Sequence, residues 1–280
     1  MSNKIRLGIS TCPNDTYAFH AILENRIDTR GYDFEIELLD IQQLNDKLFA
    51  NQFDVAKASF NAAIELAEHY WVMPSGSALG FGVGPLLLSS SPGAIPSSVE
   101  QTVLCPGKHT TAALLFRLFY PQTCSMRHVV FSDIMPALEA GAADFGVCIH
   151  EGRFTWEQQG LFLVEDLGTK WESQTGHPLP LGGILASKKL ANPVVAELQE
   201  IVRESLEYAR QNESEALLSM RKYAQEFDDA VLMQHVELYV NDWTFELGEI
   251  GHSALKELSL RANEAELGPA ANLEVFGYTQ

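Results

Sequence analysis

Ala50-Asn51-Gln52-Phe53-Asp54-Val55-Ala56 and Ala140-Gly141-Ala142-Ala143-Asp144-Phe145-Gly146 each end a helical pattern, turn, and open a strand at an aspartate. Working outward from the first copy, KIRLGIS (4–10), DFEIELLD (33–40) and DVAKAS (54–59) read as short strands, with helical patterns over TYAFHAILENR (16–26) and QQLNDKLFANQ (42–52). Around the second copy, TVLCPG (102–107), HVVFSD (128–133) and DFGVCI (144–149) alternate with TTAALLFRLF (110–119) and MPALEAGAA (135–143). Short strands alternating with helices predict βαβ units and sheets covered by helices. The repetition of that order predicts two similar lobes.

Two stretches dense in glycine and proline punctuate the chain, GSALGFGVGPLLLSSSPGAIPSS (76–98) and GHPLPLGGILASKK (176–189), and are read as the crossovers between lobes. The predicted architecture is an α/β chain of two lobes, with residues 1–86 and 187–280 in a discontinuous first lobe and 87–186 in a smaller second one. Val195, Leu198, Val202 and Leu206 recur at helical spacing, so the C-terminal third reads as helical scaffold on the first lobe. Such arrangements hold a ligand between the lobes, at the carboxyl ends of the strands.

Composition narrows the function. The 280 residues are 46% hydrophobic and 20% charged, an ordinary globular balance, and the net charge of -18 argues against binding nucleic acid or an anionic membrane. No apolar run approaches the ~20 residues needed to span a bilayer, and MSNKIRLGIS does not resemble a signal peptide, so a cytoplasmic location is expected. Cys12, Cys105, Cys124 and Cys148 lack the spacing of a zinc site or a disulfide framework and read as reduced thiols. The acidity demands a local positive potential wherever an anionic ligand binds.

The candidate chemistry lies at strand ends. Asn14, in STCPNDTYAFHA, either caps the next helix or lines the cleft. Ser59 and Asn61 follow the strand DVAKAS, where side chains and free helix amides can hold a hydroxyl or a carboxylate. Lys57, within that strand, points to solvent by default or meets a partner in the cleft. In CPGKHTTAALL, Gly107 frees the backbone before His109, Thr110 and Thr111 open an apolar helix, an anion site in outline. It is no P-loop, because Thr102 stands where the first glycine belongs. DFGVCIHEGRFT delivers His150 and Glu151 from the end of a strand, with Gly152 and Arg153 behind them; a neutral imidazole there can act as general base. Phe154 occupies the place of a second zinc ligand, which excludes an HExxH metal site. His20, His69, His128 and His235 fall within helical or strand patterns and read as structural, while His177 lies beside the second crossover. The spacing alone supports a cleft for a small, carboxylated ligand with His150 as candidate base.

STCPNDTYAFHA, DVAKASFNAA, GSALGFGVGPLL, GKHTTAALL, DFGVCIHEGRFT, DLGTKWESQTGHPLPLGGI and YVNDWTFELGEIGHSAL, in that order, resemble the 1,4-dihydroxy-6-naphthoate synthase family over nearly the whole chain. The resemblance implies a type II periplasmic-binding-protein fold. It also implies a lyase that converts cyclic dehypoxanthinyl futalosine to 1,4-dihydroxy-6-naphthoate and dihydroxyacetone in menaquinone biosynthesis, with no metal and no organic cofactor. The family's proton acceptor falls on His150, and its substrate-binding segments on Lys57, Ala58 and Ser59 and on Thr110 and Thr111. The nearest enzymatic alternative is chorismate dehydratase of the same pathway, which lacks the IHE-RFT and WE-x-x-TG-x-PLPLG wording found here. The non-enzymatic alternative is a protein that only binds a small carboxylate.

Overall fold

In the computed structural model, residues 3–150, 152–223 and 228–278 are described. The first lobe begins with β1 (Lys4–Ser10), α1 (Pro13–Ala18), α2 (His20–Leu23), β2 (Asp33–Leu39), α3 (Ile41–Phe49), β3 (Val55–Ser59), α4 (Phe60–Glu65), β4 (Tyr70–Val72) and β5 (Ala78–Gly80). The second comprises β6 (Leu86–Ser89), β7 (Thr102–Cys105), α5 (Thr111–Phe119), β8 (Ser125–His128), α6 (Ile134–Glu139), β9 (Phe145–Cys148), α7 (Gly152–Thr155), β10 (Phe162–Asp166) and α8 (Leu167–Thr175). The chain then returns through β11 (Leu179–Ser187) to α9 (Asn192–Gln211), α10 (Glu213–Tyr223), α11 (Asp229–Tyr239), α12 (Asp242–Phe245) and α13 (Gly248–Glu264).

The two sheets share one logic. In the first, the order is β2-β1-β3-β11-β4, with β5 also on β11; in the second it is β10-β6-β9-β7-β8. In each, one strand, β1 or β7, lies parallel between the next two, β2 and β3 or β8 and β9, and a strand reached at a crossover adds antiparallel to the last of them. These joining strands are β11 in the first sheet and β6 in the second.

The lobe boundaries differ from those expected. Leu179–Ser187 pairs with β3 from Gly182 opposite Ser59 to Ala186 opposite Val55, so it belongs to the first sheet rather than to 87–186. The return therefore comes at 176–178, and the second sheet already starts at Leu86. Glycine and proline in 176–189 read as loop, but the segment is an interior strand buried almost throughout, whose continuous apolar run carries no alternation.

Local sequence accounts for the elements that shape the cleft. Asp40 accepts from the Gln42 amide and its own amide is met by Gln43, a capping box that starts α3. Leu44 and Leu48 on that helix bury completely against a core that also holds Phe53, Ala56 and Phe60. The same apolar cluster continues into the second lobe through Leu87, Val103, Phe145 and Val147, so the lobes share packed side chains. Val195, Leu198, Val202 and Leu206 of α9 pack on Ile5, Leu7, Ile9, Ile184 and Ala186 from the first sheet. Gly84 and Gly168 touch backbone to backbone: a Cβ on Gly84 would lie 2.2 Å from the Gly168 Cα. That approach fixes the entry to β6 against the start of α8, beside the cleft.

Candidate active site

A cavity of about 90 Å³ lies between the lobes at the carboxyl ends of β1, β3 and β9. Its walls come from the end of β1 and the start of α1, from β3, from the crossover at 83–85, from the start of α5, from the turn after β9, and from α11.

The floor on the first lobe is an ion pair. Strand alternation puts Lys57 and Ser59 on the cleft face of β3 and Ala58 on the opposite one. Lys57 is 5% exposed and Asp15 2%, and the ammonium lies 2.6 Å from the Asp15 Oδ1. A second N–H of Lys57 reaches the Gly76 carbonyl at 3.2 Å. Asp15 also accepts from the Asn14 side chain at 2.9 Å and from the Ser10 amide at 3.2 Å. Lys57 thus faces a carboxylate inside the protein and not solvent. Ser59 is held from behind by Asn45, whose Oδ1 accepts from the Ser59 amide and whose Nδ2 donates to the Ser59 hydroxyl. The hydroxyl hydrogen stays available to a ligand.

On the second lobe, Gly107 adopts φ +103°, and a Cβ there would strike Gln42 at 2.3 Å. That turn leads into α5. The Thr110 hydroxyl is the helix cap, accepting from the Ala113 amide at 3.2 Å and donating to the Gly107 carbonyl at 3.0 Å. The Thr111 hydroxyl bridges the lobes, donating to the Leu181 carbonyl at 2.7 Å and accepting from the Asn61 amide at 3.3 Å. Both threonine hydroxyls are therefore occupied. What α5 offers the cavity is its first amides, at Thr111 and Ala112, which have no acceptor within the helix.

His150 ends the run out of β9 in a left-handed conformation, φ +55°, a strained choice for a residue with a Cβ. Its ring stands edge-on to Phe131, centroids 4.8 Å apart, and its Nδ1 is 3.3 Å from the Cys12 Sγ. Burial lowers its pKa to about 4; the Asp15 charge opposes that shift and the Lys57 charge adds to it. The imidazole is neutral at pH 7. Arg153 holds the following helix in place, donating to the Gly84 carbonyl at 2.6 Å and to Asp166 at 2.7 Å. Asp166 in turn caps α8 through the Gly168 and Thr169 amides. Glu151 lies outside the described residues.

Of the sequence-predicted site residues, Asn14, Lys57, Ser59, Thr110, Thr111 and His150 line this one cavity. Ala58 and Asn61 do not: Ala58 packs in the core, and Asn61 is buried behind Thr111 with its side-chain amide nitrogen unpartnered. His109 is elsewhere too, 3.1 Å from Glu65 and tilted against the Phe49 ring, a contact between the lobes. His177 does not reach the cavity. Sequence reasoning missed His235 and Tyr239 of α11, which line the wall around His150. The available signal was their i, i+4 spacing, which puts both rings on one helix face.

A sequence profile described as menaquinone biosynthesis matches residues 5–264. The chain belongs to the menaquinone biosynthesis family. Within this family it is 38% identical to a 1,4-dihydroxy-6-naphtoate synthase of Thermus thermophilus, over 97% of this chain and 98% of that protein. It is 35% identical to the enzyme of the same name from Streptomyces coelicolor, over 99% of both. Among solved structures, a protein from Archaeoglobus fulgidus superposes with a TM-score of 0.90 at 31% identity, covering 95% of this chain and 99% of that one. The periplasmic aliphatic sulphonate-binding protein of Escherichia coli superposes with a TM-score of 0.68 at 14% identity, covering 100% and 94%. This member of the menaquinone biosynthesis family therefore has the periplasmic-binding-protein-like fold and is an enzyme of that biosynthesis. Among the described residues no helix is long and apolar enough to cross a membrane.

Proposed function

We propose that this chain is a 1,4-dihydroxy-6-naphthoate synthase, a lyase converting cyclic dehypoxanthinyl futalosine to 1,4-dihydroxy-6-naphthoate and dihydroxyacetone, with His150 as proton acceptor. The observation that carries the reading is a neutral, half-buried imidazole in the same cavity as a buried lysine and an open helix N-terminus. The first amides of α5, at Thr111 and Ala112, supply the local positive potential that a carboxylated substrate needs against a net charge of -18, since the Lys57 charge is met by Asp15. The Ser59 hydroxyl and the Asn14 amide are placed to hold the polyhydroxylated part.

With the substrate held there, the neutral His150 nitrogen takes a carbon-bound proton. The C–H electron pair forms a ring double bond, the bond to the three-carbon fragment breaks with its pair leaving on that fragment, and the fragment takes the proton back from His150 to depart as dihydroxyacetone, driven by the gain of aromaticity. Apolar wall residues that pack in or against the shared core, among them Val83, Ala112 and Leu181, limit the water that can compete for the proton.

The test is mass-spectrometric. Purified protein is incubated with cyclic dehypoxanthinyl futalosine and the mixture is examined for 1,4-dihydroxy-6-naphthoate. Product formed by the wild type and absent with His150→Ala supports the assignment. A wild type that binds the compound without converting it refutes it.

A further inference from the structure

His235 is 2% exposed, it lines the cavity, and neither of its ring nitrogens has a hydrogen-bond partner. A neutral imidazole carries one donor and one acceptor, and burying both unmet costs free energy that an apolar residue at the same helix position would not. The buried His20 is different, since its Nδ1 pairs with the Ser219 hydroxyl at 2.8 Å. The His235 ring lies nearly parallel to that of His150, 17° apart with centroids at 6.1 Å, and Tyr239 supports it at 4.4 Å. Two imidazoles therefore share one wall of the cavity, one held by the Cys12 thiol and Phe131 and the other unpartnered.

Resting on the proposed function above, we propose that His235 is a second substrate-contacting residue: its N–H donates to the ring oxygen that becomes a naphthol hydroxyl as His150 removes the proton. The electron count closes without further reagents. The proton goes from carbon to the His150 nitrogen, the C–H pair becomes a ring double bond, and the adjacent carbonyl oxygen holds the negative charge until the bond to the departing fragment breaks with its pair and that fragment takes the proton back from His150. His235 donates a hydrogen bond to that oxygen and keeps its proton. Burial, and the positive charge of Lys57 nearby, hold His235 well below the ordinary histidine range, so it meets the developing charge as a neutral donor that does not give its proton away.

The test compares His235→Phe, which keeps a ring and removes the N–H, with His235→Gln, which keeps an N–H. The expected result is a fall of about 10²-fold in kcat for His235→Phe with KM changed far less, partly restored in His235→Gln. Wild-type product formation with a His235→Phe rate within threefold of it overturns the role of His235 and leaves the proposed function standing. No product from the wild type overturns both. A second measurement covers a phenylalanine variant that does not fold: ¹⁵N spectra of the wild-type imidazoles, with His235 assigned through His235→Gln, are recorded as 1,4-dihydroxy-6-naphthoate is added. A shifted His235 resonance supports the contact; an unmoved one, with the ligand bound, overturns it.

Discussion

The two walls of the cavity handle buried polarity in opposite ways. On the Lys57 side the charged groups are met, ammonium by carboxylate and carbonyl and carboxylate by the Asn14 side chain and the Ser10 amide, and the Ser59 hydroxyl accepts from Asn45 while keeping its hydrogen for a ligand. On the histidine side, His150 has a thiol against its ring and His235 has nothing. Buried polar groups that are fully paired shape a site, whereas those left unpaired are kept for something that arrives later. The difference separates the groups that build the cavity from the groups proposed to face the reacting atoms.

That comparison can be broken at several strengths. The largest effect is expected from His150→Ala, which should lower turnover by about 10³-fold or more while leaving substrate affinity within about tenfold, or ~1.4 kcal/mol. Product rates and calorimetry measure the two, and a wild-type rate would remove His150 from the chemistry. Next, Lys57→Met leaves the buried Asp15 carboxylate without its cation, at a cost of about 3–5 kcal/mol in stability. Thermal unfolding should show a large fall in Tm, partly recovered in the double variant Lys57→Met/Asp15→Leu. An unchanged Tm for the single variant would mean that the ion pair does not hold this wall.

The histidine wall also sets a pH dependence. His150 titrates at about 4 in the folded protein against 6.5 in an unfolded chain, and His235 lies well below its ordinary value. Between those limits the unfolded chain binds more protons, so the stability these groups contribute is complete above about pH 6.5 and is lost as pH falls toward 4. Unfolding followed from pH 7 to pH 4.5 should show a steeper loss for the wild type than for His150→Gln. Parallel curves would sink the claim that this imidazole is buried uncharged. The smallest effect belongs to Thr110→Ala, which removes a helix cap and should cost about 1 kcal/mol with little change in kcat. A collapse of kcat would show that the Thr110 hydroxyl contacts substrate after all.

The sequence is most legible where neighbours along the chain decide the outcome. The strand–loop–helix order, the opening of α5 at Thr110 and the delivery of His150 from the end of β9 all follow from local patterning. Legibility fails where the deciding partner is far away. Lys57 reads as a solvent-facing lysine until Asp15, 42 residues earlier, is brought against it. His235 reads as an ordinary helical histidine until α11 is laid on the first lobe beside a loop of the second. Thr110 and Thr111 lie where expected, but backbone groups from both lobes have taken their hydroxyls, and the helix amides remain.

By itself, the sequence determined the α/β alternation, the doubled lobe, the packing of α9 on the first lobe and the histidine at the strand end. Those properties depend on hydrophobic period, turn chemistry and capping over a few residues. The tertiary structure alone decided that β11 belongs to the first sheet, that Lys57 is neutralised within the protein, and that a second imidazole stands beside the first. Each of these depends on pairing across long stretches of chain, where burial and charge are set by whatever the fold brings alongside.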